Sequence, residues 1–104
     1  MNRIYRILTT MTPEQNEDLV AGYTDEQLAE IEAIDEFVIS SEEYSFITDD
    51  GHILEYIITS PEIMDRISSF GDKIGQPIQV TDVTDEVGGT AQDLLRHYLK
   101  NTEH

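Results

Sequence analysis

Apolar residues in this chain recur at every second position in some stretches and at every third or fourth in others, the difference between strands and helices. Ile4, Tyr5, Ile7 and Leu8 lie in a short apolar stretch that breaks at Thr9-Thr10 and predicts a first strand. Thr12-Pro13-Glu14-Gln15 then supplies a capping threonine, a proline at the first helical position and a glutamine three residues after the cap. Thr24-Asp25-Glu26-Gln27 repeats the capping box without the proline, and Gly22 stands between the two. Residues 13–36 therefore read as one helix or as two. In one unbroken helical register, Leu19, Val20, Tyr23, Ile31, Ile34 and Phe37 share one side. Glu14, Glu17, Asp18, Asp25, Glu32, Asp35 and Glu36 gather on the other. Leu28, Glu26 and Glu30 fit that register poorly, so a kinked or two-part helix with one overall acidic side is the better account.

Residues 42–48 and 52–59 predict a hairpin turned by Asp49-Asp50-Gly51. The second arm, His52 to Thr59, is β-branched, aromatic and mostly apolar, as a central strand should be. Ser60-Pro61-Glu62 opens a further helix carrying Ile63, Ile67, Phe70 and Ile74, with Gly71 and Gly75 as candidate stops. Ile78, Val80 and Val83 predict a strand with a bulge near Thr81-Asp82. Gly88-Gly89 turns the chain, and Thr90-Ala91-Gln92-Asp93 opens a last helix. Its apolar face is Leu94, Leu95, Tyr98 and Leu99, with Arg96 and Lys100 towards its negative end. This order predicts a single α+β domain over residues 1–104. The expected architecture is a ferredoxin-like βαββαβ sandwich, with helices on one face of an antiparallel sheet and an extra C-terminal helix. That architecture serves enzymes, binders and regulatory modules alike, so function has to be argued from side chains.

Composition narrows the classes. At 104 residues and 38% hydrophobic content the chain can build one core. It contains no cysteine, which excludes disulfides and thiolate metal sites. The N-terminal apolar stretch is too short for a signal peptide, and no run approaches the length of a membrane helix, so a cytoplasmic location is expected. Twenty-two acids against six bases give a formal charge of −16. Such a balance argues against direct binding of nucleic acid or of an anionic membrane. The charge is also regional: Ile7 to Asp65 holds sixteen acids and no Lys or Arg.

Catalytic constellations are sparse. No serine sits in a G-x-S-x-G elbow, and no H-E-x-x-H, EF-hand loop, P-loop or G-x-G-x-x-G is present. His52, His97 and His104 are expected in ordinary surface roles. Asp82, Asp85 and Glu86 could group at a strand end around a divalent ion, but a solvated strand end is the simpler expectation, and no metal or cofactor is assigned.

The acidic stretch is the unusual feature. Nine acids between residues 14 and 36 give roughly one per 3.8 Å along a continuous helix rising about 1.5 Å per residue. One strand of duplex DNA presents a charge about every 3.4 Å. The expectation is an acidic inhibitor or sequestering protein that occupies the basic surface of a nucleic-acid-binding protein or nuclease, in the manner of a nucleic-acid mimic or an immunity protein. Its carboxylates would be the seven on the acidic side together with Glu42, Glu43, Asp49 and Asp50, and Glu55, Glu62 and Asp65 would extend the field. Tyr23, Tyr44 and Tyr56 would be apolar anchors if exposed. An acidic helix face can also be merely solvated. Salt adaptation likewise acidifies proteins, although thirteen isoleucines and segregated bases argue against it here. The alternative function is a small ligand-sensing or dimerising regulatory module. An apolar pocket with convergent polar groups would favour the sensor, and an acidic ridge without a pocket would favour the mimic.

Overall fold

In the computed structural model, which describes residues 1–102, the chain runs β1 (Arg3–Thr9), α1 (Pro13–Ala21), α2 (Asp25–Asp35), a 3₁₀ turn (Glu42–Tyr44), β2 (Ser45–Ile47), β3 (Ile53–Thr59), α3 (Pro61–Ile74), β4 (Ile78–Asp82) and α4 (Gly89–Thr102). The four strands form one sheet in the order β2-β3-β1-β4, with every neighbouring pair antiparallel. The protein is thus α+β, as expected. No helix among the described residues is long and apolar enough to cross a membrane.

The two central strands explain the layering. Ile4 lies opposite Ile58 and Tyr5 opposite Ile57 in the β1–β3 register, and successive residues point to opposite faces of a sheet. Ile4 and Ile58 accordingly pack with Val83, Ala91 and Leu94, under α4. Tyr5, Ile7 and Ile57 pack with Met64 and Ile67 of α3. Strands apolar on both sides need cover on both sides. α1, α2 and α3 occupy one face, and α4 closes the other instead of joining them. The crossing is made after α2, where Val38 joins the α3-side core and Ile39 the α4-side core, with Ile39 bridged to Ile58.

Local chemistry sets the element ends. Thr12 and Thr24 each accept a hydrogen bond from the backbone N–H of the glutamine three residues on, and each glutamine side chain returns one, completing both capping boxes. The second box wins over continuous periodicity, so residues 13–36 are two helices, with Gly22 closing the first. Such a cap is worth about 1 kcal/mol. In α3, Gly75 ends the helix with φ +76°, as expected. Gly71 does not: it lies buried within α3, where a Cβ would come 3.3 Å from Ile78 Cδ1. The first hairpin arm is shorter than predicted, because Ser41 caps the 3₁₀ turn and draws Glu42–Tyr44 out of the strand. β4 pairs with β1 in unbroken register from Ile78 to Asp82, so the expected bulge is absent from this strand.

Candidate functional site

α1 and α2 present different chemistry on their two sides. Glu14, Glu17, Asp18, Asp25, Glu26, Glu32 and Glu36 are all exposed and stand outside the cavity that the other side lines. Among the nine acids of these two helices and the α2 cap, only Glu30 is held in an ion pair within the described residues, by Lys73 Nζ at 3.2 Å. The other pairs lie elsewhere: Arg3 with Asp82 and Asp85, and Arg96 with Asp93. Those seven carboxylates are therefore not offset by ion pairs among the described residues. Crowding of like charges at this density destabilises the fold until salt screens it. Raising salt from about 20 to about 500 mM, where the Debye length falls below ~8 Å, should raise the melting temperature, as followed by circular dichroism. A flat profile would mean the carboxylates do not repel one another measurably.

The inner side of the same helices lines an open cavity of about 340 Å³. Its walls are apolar, with Val20 from α1, Leu28 and Ile31 from α2, Ile7 and Ile57 from the sheet and Phe70 from α3. Polar groups converge on it: Asn16, Gln76, Ser40, Asp35 and Glu55. Gln76 donates a hydrogen bond to the Asn16 side chain at 2.9 Å, tying α1 to the loop after α3. Burial pushes the Glu55 carboxyl above its ordinary range, and the nearby Asp35 carboxylate adds to the effect. Asp35 is likewise raised, first by partial burial and then by Glu32.

The chain matches no family model, no curated protein and no solved structure. The site is thus carried by its residues alone.

Several expected site residues stand elsewhere than the sequence implied. Asp35, expected in the acidic sector with Glu32 and Glu36, is exposed as they are, but it also lines the open cavity. Glu55, expected in the outer field, is half-buried and belongs to the cavity. Its signal was a single carboxylate in an otherwise apolar central strand. Tyr23 is no free anchor, since its ring packs edge-on against Phe70 with centroids 5.6 Å apart. Tyr44 is turned to α4, donating a hydrogen bond to the Asp93 carbonyl at 3.3 Å and packing against His97 at 6.0 Å. That contact also gives His97 a packing role in place of a plain surface one. Tyr56 packs in the α4-side core and edge-on against Phe46. Glu42 and Glu43 are exposed but sit beside Tyr44, on the α4 side of the sheet and away from the α1–α2 wall. Asp49 and Asp50 are exposed at the hairpin turn. Phe37 and Ile47, 60% and 59% exposed, are among the apolar side chains open to contact.

Asp82 and Asp85 converge on Arg3 and not on an ion site. Arg3 Nε donates to Asp82 at 2.6 Å, Thr84 donates to the other Asp82 oxygen, and Asp85 lies 3.7 Å from the guanidinium. The hydrogen bond from Arg3, helped by those from Thr84, lowers the Asp82 carboxyl to about 2. No group of three or more potential metal-ligating side chains occurs among the described residues. His104 lies outside the described residues.

Proposed function

We propose that this protein is an acidic binder, not an enzyme, which uses the outer wall of α1 and α2 to occupy the basic surface of a nucleic-acid-binding protein or nuclease. The observation that carries this reading is the wall itself: seven exposed carboxylates from residues 14–36, with no ion pair to any of the seven among the described residues. A field of this density steers a cationic partner from a distance, and direct ion pairs then fix the register. Exposed pairs contribute little each, so the contact needs an apolar anchor. Phe37 follows Glu36 directly, at the end of the wall, and is the best-placed candidate. The strand order and directions are compatible with a ferredoxin-like βαββαβ sandwich to which α4 has been added on the second face. A cytoplasmic location suits a partner that handles nucleic acid.

The test is a pull-down with the immobilised protein at low and high salt, followed by challenge with duplex DNA. The expected result is capture of basic nucleic-acid-binding proteins at low salt and their displacement by DNA. An eluate without such proteins, or capture indifferent to both salt and DNA, would remove the reading.

A second reading has a specific observation behind it. The mimic was expected to lack a pocket, and the 340 Å³ cavity does not meet that condition. A cavity with apolar walls and several converging polar groups favours a ligand-sensing module. The two readings use different side chains of the same two helices, so one protein can carry both.

A further inference from the structure

The cavity holds two carboxylates and no cation to balance them. No hydrogen bond or ion pair from the described residues reaches the Glu55 or Asp35 side chain. No fully buried side-chain oxygen lacks a partner either, so the Glu55 oxygens must remain reachable from the cavity. A desolvated carboxylate beside a second one is costly, and an apolar side chain at either place would fill the space without that cost. Glu55 is the sole acid of β3 and lies on the same face as Ile57, against the apolar side chains of α3. Its cross-strand neighbours are Ile7 and Ser45, and the cavity lining around it includes Asp35 from α2, Asn16 from α1, Ile67 and Phe70 from α3, and Gln76 beyond α3. None of these carries positive charge.

We propose that this cavity binds a small organic ammonium ion with an apolar body, its nitrogen held by Glu55 and Asp35 and its body against Ile57, Ile31 and Phe70. The volume fits the lower end of small-molecule sites, roughly 300–1,000 Å³. The donor set suits an ammonium better than a bare divalent ion, which takes about six to eight oxygens at fixed short distances. Two carboxylates, one amide oxygen and a hydroxyl over an apolar floor match three N–H donors on a hydrocarbon stem.

The test uses benzylammonium as the probe, with benzyl alcohol and benzoate as neutral and anionic controls of similar size. Binding is followed on the full chain by calorimetry and by amide NMR shifts. The cation should bind with shifts centred on Glu55, Ile57 and Phe70, at least about tenfold more tightly than the alcohol, and benzoate should not bind. Glu55→Gln should lose at least about tenfold in affinity for the cation while remaining folded. Its melting temperature at neutral pH should in fact rise. The folded state raises the Glu55 carboxyl, so stability is lost as pH climbs through that raised value, and the neutral amide escapes the loss. Equal binding of alcohol and cation, an unaffected Glu55→Gln variant, or shifts confined to the outer carboxylates as loose counterion binding would each overturn the proposal. Glu55→Gln leaves the outer wall untouched. Retained capture of basic proteins by this variant, alongside lost amine binding, separates the two sites.

Discussion

A variant carrying Glu17→Gln, Asp18→Asn, Glu32→Gln and Glu36→Gln should bind its basic partner roughly 4- to 900-fold more weakly, and should melt at a higher temperature than the natural chain. The range follows from four exposed ion pairs at about 0.2–1 kcal/mol each. The stability gain has two sources. Mutual repulsion falls, and the C-terminal end of α2, whose last turn holds no base, loses two negative charges from beside its negative dipole end. Glu32 and Glu36 sit at that end, where neutralisation helps by about 0.3–1 kcal/mol each at most. Glu14 and Asp25 are kept because they lie in first turns, where acids favour the helix. Asp35 is kept because it lines the cavity. Affinity and stability moving in opposite directions rules out unfolding as the cause. Titration calorimetry against the captured partner and a thermal melt provide the two readouts. A higher melting temperature with unchanged affinity would show that the wall is solvated and nothing more.

The second large effect concerns α4. Leu94 is fully buried, in the core with Ile4, Ile58, Val83 and Ala91. Leu94→Ala should cost about 2–5 kcal/mol, from lost burial and the cavity left behind. Domains of this size are stable by only about 5–15 kcal/mol, so at the upper end of that cost the urea midpoint should drop by about a third or more. Val87, 96% exposed just before the helix, is the matched control. Val87→Ala should stay within about 0.5 kcal/mol. Equal midpoints for the two variants would mean that α4 does not pack on the sheet in solution.

Much of this arrangement was legible in the chain because it is encoded locally. Thr12, Thr24 and Ser60 mark three helix starts through side-chain bonds made within a few residues. The apolar run of β3 announces a strand with no water-facing side, and the structure supplies the second cover in α4. What escaped was set by distant partners. Tyr44 leaves the predicted strand to reach Asp93 and His97, nearly half the chain away. Gly71 is no helix stop but a buried position where Ile78 leaves little room for a Cβ, a contact invisible to any rule about glycine and helix ends. The acidic side of residues 13–36 was found and Asp35 is exposed there, but its place at the rim of a cavity was not foreseen. A void has no sequence pattern. Glu55 hinted at it only by being charged where its neighbours are not.

β2 offers three residues, Ser45–Ile47, to one of the two edges of the sheet, and all three are exposed. An incoming strand would find little backbone to pair with, and would pass Glu42 and Glu43 on one side and Asp49 and Asp50 on the other. Short, charged margins of this kind discourage edge-to-edge stacking. Concentrated solutions of the protein should therefore resist pairing at this edge despite the exposed Phe46 and Ile47, and raised salt, by screening those four flanks, is the condition under which that protection would weaken.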